Sequence, residues 1–584
     1  MSILAKFAKE NGLINVKKGD SVLQLALQGG VHMPDKPDFG TDWRLSRKSQ
    51  RNNGRTIWRF TSNSTIWKRR WMDVEISSKE ILFQLGVEGK GDIDTVAFFA
   101  GLNEKQMTQP SSTMKLLKWA HRDYVSTWTA SPFSFRNVFN PQPNASEGQT
   151  LPCSCSQRIS SATTFGPEIF NTFFAPPPYA YVLDNRWTIG LAASKGENNY
   201  NHFDYRVGAG WGIVLSYDGM TRVNGEWKSP CLRIAACDSW EHGISEYLDF
   251  LREKEFAPLP KAVTPPWAWR PVVCGWGQQT ACATLASKGE TLPWASPVLT
   301  GAMDYATQDF YEEFVRNLEK ADLPYGILVI DAGWSPCFSL PHEDRKRWPD
   351  LRGFISRMHA RDKRVLLWLA TWNPKGLPVK FLMPHADGLK DCVDPSNPEF
   401  CSELGKSIHL LISPSGLDAD GFKLDFTGDL PRGRGYEPSG NSWGLEMMLD
   451  YVTLIHREMK AAKGDTVLET HCANPLFANV TEMLRLNDIF SIDEDICPMM
   501  EYRATLARLV NPLWPIDTDN DPFVSKKAWM KYMRKQVQIG VPSLYTLTHL
   551  SHALDGRSPE KITNQDIAEV RKIWRMYLLG RNGI

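Results

Sequence analysis

Gly421-Phe422-Lys423-Leu424-Asp425-Phe426 is the stretch that decides the fold of this chain of 584 residues. Apolar Phe422 and Leu424 alternate with Lys423 and Asp425, which predicts a short buried strand that ends in a carboxylate. A buried carboxylate is costly unless it is paired or functional. In a (β/α)8 barrel, active-site residues stand at the carboxyl ends of the strands. The stretch therefore predicts a catalytic strand of such a barrel, with Asp425 as its reactive residue.

The sequence around this stretch alternates between strand-like and helical patterns from Trp267 onward. The strand-like runs are Pro271–Cys274, Ile327–Ile330, Val365–Ala370, Gly421–Asp425, Val467–Thr470, Ile489–Ile492, Leu513–Ile516 and Ser543–Leu547. The helical patterns are Phe310–Lys320, Leu351–Arg361, Leu445–Ala461, a short stretch near 476–486, Met499–Val510, Lys526–Gln538 and Pro559–Leu578. Alternation implies a parallel sheet, and eight β/α units imply a closed TIM barrel.

The part of the chain before Trp267 has a different pattern. Short alternating runs separated by Gly, Asn, Asp and Pro predict an antiparallel β-sandwich. Examples are 73–76, 81–87, 179–183, 187–192 and 212–216. A Pro-rich stretch, Pro258–Pro266, follows a helical pattern that ends near Lys254. We therefore predict a sandwich domain at residues 1–257 and a catalytic barrel at 258–584.

The composition excludes several classes of function. The 67 basic residues are balanced by 66 acidic ones, which is unlike a nucleic-acid-binding protein or a polybasic membrane-binding surface. No run is long enough to span a membrane, and residues 1–15 lack the apolar core of a signal peptide, so we expect a cytoplasmic protein. The 11 cysteines show no metal-ligand spacing, and neither a metal nor an organic cofactor is expected. The sequence leaves open whether the chain forms a homo-oligomer.

Acids and tryptophans cluster at the ends of the predicted strands. In strand order these residues are Trp276, Asp331, Trp334, Trp368, Lys423, Asp425, His471, Cys472 and Asp493. Such a ring suits glycoside hydrolysis, which uses two carboxyl groups and stacking faces for the sugar. Strands four and six lie two apart in the ring, so Asp425 and Asp493 form the natural pair. Lys423 is expected to keep Asp425 ionised, and Glu494 and Asp495 are expected to raise the pKa of Asp493.

Each of these residues also has a simpler structural interpretation. A Lys-x-Asp pair is more often a surface ion pair, and an acidic triplet often starts a helix. A buried histidine such as His471 is more often a core residue than a catalyst, and tryptophans more often fill cores. Asp488 and Asp495 compete with Asp493 for the role of acid. The functional interpretation is favoured because all of these residues fall on strand ends of one predicted barrel.

Several segments of the barrel are similar to motifs of one clan of enzymes. The matching segments are Arg270-Pro271-Val272-Val273-Cys274-Gly275-Trp276, Leu328-Val329-Ile330-Asp331-Ala332-Gly333-Trp334, the Lys423-Leu424-Asp425 strand, His471-Cys472-Ala473-Asn474-Pro475-Leu476 and Ile492-Asp493-Glu494-Asp495. They resemble the retaining α-galactosidases of glycoside hydrolase families 36 and 27 and, more distantly, raffinose-synthase-like proteins. The resemblance covers roughly residues 265–550 and includes the order of sandwich and barrel.

This resemblance implies a retaining exo-α-glycosidase with Asp425 as nucleophile and Asp493 as acid/base. Asp331 and Lys423 would bind sugar hydroxyls, and Trp276 and Trp334 would line the pocket for the sugar. Trp368, His471 and Cys472 complete the expected set of substrate-binding residues. The expected partner is an oligosaccharide or other glycoside.

One departure from the family pattern bears on the sugar. Ala332 stands where the family has a second aspartate that grips galactose, and the loss of that acceptor removes a hydrogen bond worth roughly 1.5–3 kcal/mol. N-acetylgalactosamine or an α-glucoside is therefore plausible in place of galactose. The same scaffold would also suit a raffinose-synthase-like transglycosylase, an inverting enzyme or a non-catalytic carbohydrate-binding protein.

Overall fold

The structure is a computed structural model. It describes residues 2–9, 12–27, 29–38, 42–50, 54–99, 128–129, 180–183, 186–207, 211–261, 264–286, 301–486, 488, 495–521, 523, 525–550 and 559–581. Within these ranges, no helix combines the length and the apolar character that crossing a membrane would require.

The amino-terminal part is built from antiparallel strands, as the sequence predicts. Its strands are β1 Leu4–Ala8, β2 Leu13–Lys18, β3 Ser21–Ala26, β4 Gly29–His32, β5 Arg44–Gln50, β6 Thr56–Ser62, β7 Arg69–Ile76, β8 Glu80–Phe98, β9 Trp128–Thr129, β10 Ala180–Leu183, β11 Trp187–Ala192, β12 His202–Val207, β13 Trp211–Lys228 and β14 Cys231–Ala236. Strands β1–β3 form a small sheet, and the others form a large sheet in which β8 pairs with β4, β7, β13 and β14.

Helix α1, Trp240–Glu253, follows the sandwich and lies against β11. The Ser239 side chain accepts a hydrogen bond from the His242 backbone N–H and so caps the helix. The helix buries Ile244, Tyr247 and Leu248 against the sheet, where Gly190 leaves room for the Tyr247 ring.

The rest of the chain forms a closed parallel barrel with helices outside it, which confirms the predicted fold class. The barrel strands are β15 Val272–Cys274, β16 Ile327–Ile330, β17 Arg364–Ala370, β18 Gly421–Asp425, β19 Val467–Thr470, β20 Met483–Arg485, β21 Ile516–Asp517 and β22 Ser543–Leu544. They neighbour one another in chain order, β22 pairs with β15, and a parallel bridge from Asp517 to Val541 closes the ring.

The helices between and after these strands are long enough to cover the barrel. They are α2 Trp276–Ala286, α3 Gln308–Lys320, α4 Leu351–His359, α5 Pro398–Ile412, α6 Gly444–Ala462, α7 Cys497–Val510, α8 Lys526–Ile539 and α9 Asn564–Arg581. The carboxyl-terminal hairpin of β23 His549–Leu550 and β24 Glu560–Lys561 precedes α9. Within the described ranges, short 3-10 helices occur at Pro266–Trp269, Val379–Phe381 and Pro475–Phe477.

The barrel interior changes from apolar to charged along the strands. Its apolar cluster consists of Trp267, Ala268, Val272, Cys274, Ile327, Val329, Leu366, Val467, Met483, Val541 and Tyr545. Because side chains alternate between the two faces of a strand, the residues two or four positions further along face inward as well. On β18, β19 and β20 these are Lys423, Asp425, Glu469 and Arg485, and Asp331 directly follows β16. The polar layer therefore lies at the carboxyl ends of the strands.

One sequence-based prediction about elements is wrong, and one helix was not predicted. The stretch 476–486, predicted to be helical, contains the 3-10 helix Pro475–Phe477 and then strand β20. Strand six is thus Met483–Arg485, and the predicted strand Ile489–Ile492 lies outside the described residues. Only three residues of β20 pair with its neighbours, which is too short a run to show a period in the sequence. Helix α5, between strands three and four, has no counterpart among the predicted helices.

The segment that follows Asp425 joins the barrel to the sandwich. The backbone N–H of Leu445 donates to Tyr200 O at 3.1 Å, and the N–H of Glu446 donates to Asn198 O at 2.9 Å. The buried Glu446 carboxylate in turn accepts hydrogen bonds from the backbone and side chain of Asn198, at 3.3 and 3.2 Å. The loop after the proposed catalytic strand is therefore held by the amino-terminal domain.

Candidate active site

Asp425 lies at the tip of β18 with its carboxylate fixed by three donors. The Trp368 indole Nε1 donates to Oδ2 at 3.1 Å, the Arg485 Nη1 lies 3.2 Å from Oδ1, and the Phe426 backbone N–H donates to Oδ1 at 3.0 Å. Phe426 itself has a left-handed backbone, with φ of 54°, which turns the chain sharply behind the carboxylate. The Asp425 side chain keeps 19% of its surface exposed.

The electrostatic surroundings of Asp425 favour its ionised form. Burial alone would raise the pKa of this carboxyl, but the charges of Arg485, His471 and Lys423 and the hydrogen bond from Trp368 hold the pKa below its usual value. A carboxylate that is ionised, fixed and still partly accessible is suited to nucleophilic attack.

Arg485, at the end of β20, connects the carboxylates of the site. Its Nε lies 2.7 Å from Asp519 Oδ2, its Nη1 contacts Asp425, and its Nη2 lies 3.7 Å from Asp488 Oδ2. The guanidinium is almost fully buried. Its planar fork of donors can serve several carboxylates at once, which an ammonium group cannot do in the same geometry. Arg485 is absent from the residues predicted from the sequence, because the predicted strand six begins too late in the chain.

Asp488 is the second carboxyl that Arg485 holds at the site. Its Oδ1 accepts a hydrogen bond from the Asp521 backbone N–H at 3.2 Å, and 21% of its side chain is exposed. Burial raises the pKa of Asp488 to about 7; Arg485 opposes this shift, while the charges of Asp519 and Asp425 add to it. At neutral pH Asp425 is therefore ionised while Asp488 retains its proton for part of the time, which is the division of roles that an acid and a nucleophile require.

Lys423 lies in a separate cluster beneath these carboxyls. Its Nζ contacts Asp331 Oδ2 at 2.9 Å, Tyr545 Oη at 3.2 Å and Cys274 Sγ at 3.4 Å. Burial would lower the pKa of Lys423, but the charges of Asp331, Cys274 and Asp519 together raise the pKa well above its usual value. The direct partner of Lys423 is thus Asp331, so Lys423 supports the ionisation of Asp425 through its charge and not through contact.

Asp331 is held from several sides. Its Oδ2 accepts hydrogen bonds from Lys423 and, at 3.0 Å, from the Cys274 thiol, and its Oδ1 accepts the Ala332 backbone N–H at 2.8 Å. Only 4% of the side chain is exposed. Asp331 therefore anchors Lys423 in this structure, and it offers little surface to a sugar.

Two further acids, Glu469 on β19 and Asp517 on β21, are fully buried in the barrel and interact with each other electrostatically. Burial raises the pKa of both carboxyls, and the charge of Glu469 raises that of Asp517 further. Burial and the charges of neighbouring acids thus disfavour ionisation of both groups at once. The pair thus adds less than its formal charge to the site.

The structure brings some of the other predicted residues to Asp425 and keeps others away. Trp368 contacts the carboxylate directly, and Trp276 is partly exposed at the start of α2. Trp334 is fully buried and donates its indole N–H to the Trp368 carbonyl at 2.8 Å. His471 and Cys472 are also fully buried. These last three side chains expose no surface with which a sugar could make contact in this conformation.

The acidic triplet is described only at its last residue. Asp493 and Glu494 lie outside the described residues, so Asp493 stays a prediction. Asp495 pairs with Lys531 at 2.7 Å and accepts the Cys497 backbone N–H at 3.2 Å at the start of α7. Burial would raise the pKa of Asp495, but Lys531 and Cys497 hold it below its usual value. Asp495 therefore starts a helix and is not suited to donate a proton.

A cavity of about 600 Å³ opens at the same end of the barrel. It is lined by Gly301, Met303, Asp304, Gly333, Ser335, Pro336, Asp344, Arg347 and Lys375, which belong to the loops around strands one to three. The Lys375 ammonium lies 4.4 Å from the centre of the Phe338 ring, and Phe338 packs edge-on against Trp368. The cavity is thus separated from Trp368, the partner of Asp425, by one aromatic ring. Within the described part of the chain, no cluster of three or more His, Cys, Asp or Glu residues could hold a metal ion.

Comparisons with known proteins show similarity in structure but not in sequence. No protein-family model matches the chain, and no curated protein matches it. A family GH31 sulfoquinovosidase from E. rectale superposes with a TM-score of 0.58 at 12% identity, over 99% of this chain and 83% of the other. An uncharacterised Listeria monocytogenes protein in complex with glucose gives 0.55 at 10% identity, over 99% of this chain and 59% of the other.

A GH31 dextranase from Flavobacterium johnsoniae, complexed with glucose, gives a TM-score of 0.52 at 11% identity, over 99% of this chain and 68% of the other. The sulfoquinovosidase and the dextranase are of family 31 and not of families 36 or 27, which the sequence motifs resemble. Since identity is so low, the comparisons establish the architecture. The chain therefore has the fold of family 31 glycoside hydrolases, with a β-rich amino-terminal region before a (β/α)8 barrel.

Proposed function

We propose that this protein is a retaining exo-α-glycosidase that forms a covalent glycosyl-enzyme on Asp425. The observation that carries the proposal is the pair of carboxyls, Asp425 and Asp488, which lie 3.2 and 3.7 Å from two nitrogens of the same buried Arg485 guanidinium. One is kept ionised by its neighbours, and the other has a pKa of about 7. The fold shared with GH31 hydrolases supports the same class of reaction.

In the first step an Asp425 oxygen attacks the anomeric carbon while the bond from that carbon to the leaving oxygen breaks. The electron pair of this bond stays on the leaving oxygen, which takes a proton from the acid. In the second step the deprotonated acid removes a proton from water, water attacks the anomeric carbon, and the Asp425 carboxylate leaves. Both steps need only protein carboxyl groups and water.

Two residues are candidates for the acid. Asp493 is the one that the sequence and the family resemblance favour. Asp488 is favoured by its contact with Arg485 and by its raised pKa. A pKa near neutrality suits a group that must first donate and then accept a proton.

The sugar is proposed to be an α-glucoside or a related sugar, with an α-galactoside or N-acetylgalactosaminide as the second candidate. Ala332 removes the second carboxylate expected for galactose, and the remaining Asp331 is engaged by Lys423. Two similar structures contain glucose. The cavity near Phe338 could take the leaving group of an oligosaccharide. A transglycosylase would use the same residues, and product analysis with excess acceptor sugar separates the two activities.

The nucleophile is tested with wild type, Asp425→Ala and a control, Asp450→Asn, which changes an exposed acid on α6. A panel of aryl α-glucoside, α-galactoside and α-N-acetylgalactosaminide is offered to each. We expect at least a thousandfold loss of kcat in Asp425→Ala and wild-type activity in the control. Peptide mass mapping after a 2-deoxy-2-fluoro glycosyl fluoride should find the label on Asp425. Full activity of Asp425→Ala, or a label on another residue, would overturn the assignment.

The acid is tested by comparing Asp488→Asn with Asp493→Asn on aryl glycosides whose phenols differ in acidity. Loss of the true acid should slow substrates with poor leaving groups by a factor of roughly 10²–10⁴ and spare activated ones. The basic limb of the kcat/KM profile, expected near pH 7 for Asp488, should vanish in the same variant. If only Asp493→Asn behaves this way, Asp493 is the acid.

A further inference from the structure

A groove of about 490 Å³ crosses the open face of the large sheet in the amino-terminal domain. Its lining comes from five neighbouring strands, β5, β6, β7, β8 and β14, together with the end of β13. The lining residues are Arg47, Ser49, Gln50, Ile57, Arg59, Asp73, Glu75, Leu82, Gln84, Lys228 and Cys231. No step of the proposed reaction uses any of these residues.

The strand register explains why these side chains share a face. Arg47 pairs with Arg59, Arg59 with Asp73, and Asp73 with Gln84, so these four side chains form one row across the sheet. A second row runs through Ser49, Ile57, Glu75 and Leu82. With strands about 4.8 Å apart, five strands give the groove a length of about 19 Å. This length suits a short chain of sugar units better than a single ring.

The acids of the groove are already neutralised. Arg59 forms a two-pronged contact with Asp73, at 2.6 and 2.7 Å, and its guanidinium also lies over the Trp71 ring. Glu75 contacts Arg55 at 2.5 Å. These pairs hold the middle of the groove rigid and leave no carboxylate of the described lining available for a cationic ligand.

Two cations of the groove have no such partner. Arg47 on β5 and Lys228 at the end of β13 are exposed, and neither forms an ion pair within the described part of the chain. Charge on an edge strand such as β5 also discourages sheets from pairing edge to edge. That role does not account for Lys228, which pairs with β8 inside the sheet.

We propose that this groove binds a short acidic oligosaccharide, with Arg47 and Lys228 as the residues that contact its carboxylates. Charge complementarity selects the acidic class, since the uncompensated charges among the described lining residues are positive. The Gln50 and Gln84 amides offer donors and acceptors for hydroxyls, and Ile57, Leu82 and Cys231 form a partly exposed apolar floor for the sugar rings. The choice of a saccharide rests on the proposed glycosidase function, and the groove would hold an acidic glycan chain outside the barrel, separate from the sugar that is cleaved.

The test measures binding of the whole chain to a short oligogalacturonate and to maltoheptaose by calorimetry. Wild type should bind the acidic chain at least tenfold more tightly, and this binding should weaken as salt is added. The double variant Arg47→Ala/Lys228→Ala should bind the acidic chain roughly tenfold more weakly, or weaker still. The charge-matched control is Lys6→Ala/Lys195→Ala, which removes two exposed cations away from the groove and should bind as wild type does.

Equal loss in the groove and control variants would overturn the proposal, because net charge alone would then explain binding. Three other outcomes would overturn it as well. They are equal binding of the acidic and neutral chains, no measurable binding of either chain, and equally tight binding of an unrelated DNA oligonucleotide. Hydrolysis of a small aryl α-glycoside, followed in the same variants, should stay unchanged. Because binding and hydrolysis are separate readouts, a failure of the groove is distinguishable from a failure of the proposed glycosidase.

Discussion

At the scale of single residues, Arg485 determines how the carboxyls of the site divide their protons. It is buried, it contacts Asp425 and Asp519, and it lies within reach of Asp488. Its charge lowers the pKa of Asp425 and opposes the upward shift of Asp488. The same side chain thus favours an ionised nucleophile and limits how far the pKa of the acid rises.

Replacing Arg485 with Gln should therefore shift the pH dependence of the enzyme. Without the guanidinium the pKa of Asp425 rises, so the acidic limb of kcat/KM moves to higher pH and activity is lost earlier as pH falls. Arg485→Lys keeps one positive charge and should move this limb less. Profiles of kcat/KM against pH on an aryl α-glycoside measure both effects. Misfolded, inactive enzyme in a preparation lowers the height of such a profile but does not change the pH at which its acidic limb falls. An acidic limb in Arg485→Gln that coincides with wild type would contradict this role.

Residue by residue, the site was predictable where a strand was visible in the sequence. Asp331 follows the apolar run Ile327–Ile330, and Lys423 and Asp425 belong to the alternating stretch Gly421–Asp425, so their positions near strand ends could be inferred. Arg485 could not, because β20 is only three residues long and its stretch of sequence was predicted to be helical. The inward alternation from Met483 to Arg485 becomes a signal only once the barrel is known.

At the scale of elements, β18 is anchored at its start as firmly as at its catalytic end. Asp420, fully buried just before the strand, accepts hydrogen bonds from His359 at 2.7 Å, the Val365 N–H at 2.8 Å and Lys463 at 3.1 Å. Gly421 follows with φ of 143°, and a Cβ there would meet the Val467 carbonyl at 1.9 Å. These contacts fix the depth at which β18 enters the barrel, and hence the position of Asp425.

Asp420→Asn should destabilise the fold by about 3 kcal/mol at neutral pH, since it breaks a buried charge pair. Burial would raise the pKa of Asp420, but His359 and Lys463 hold it below the usual value of 3.8. The stabilisation is thus present above that pH and is lost as pH falls through the lower, folded-state pKa. Urea unfolding of wild type and Asp420→Asn should show a difference in the free energy of unfolding that narrows in strong acid.

The control for this prediction is Asp418→Asn, two residues away. Asp418 contacts the same cations, Lys463 at 2.9 Å and His359 at 3.5 Å, but 29% of its side chain is exposed. Its backbone is left-handed, with φ of 64°, a conformation that Asn tolerates well. We expect a cost below about 1 kcal/mol. Equal costs for the two variants would mean that the buried pairing of Asp420 does not anchor β18.

At the scale of the whole molecule, the alternation of strands and helices predicted the barrel, and the short alternating runs predicted the sandwich. The contact between the two domains was not predictable from the sequence. It joins Asn198 and Tyr200 of the sandwich to Leu445 and Glu446 at the start of α6, residues that are more than 240 positions apart. No local pattern marks Glu446, whose charge would suggest an exposed helix face.

This contact should couple the stability of the sandwich to catalysis in the barrel, because α6 continues the loop that leaves Asp425. Glu446→Ala removes the acceptor of the buried Asn198 backbone N–H and one of the two acceptors of its side-chain amide, and should cost about 2 kcal/mol. Arg434, in the same loop, pairs with Asp35 and Asp94 but is 44% exposed, so Arg434→Ala should cost below about 1 kcal/mol. Thermal unfolding and kcat on an aryl α-glycoside measure both consequences. We expect the unfolding temperature and kcat to fall in Glu446→Ala and to change little in Arg434→Ala. A destabilised Glu446→Ala with unchanged kcat would show that the sandwich stabilises the barrel without positioning its active site.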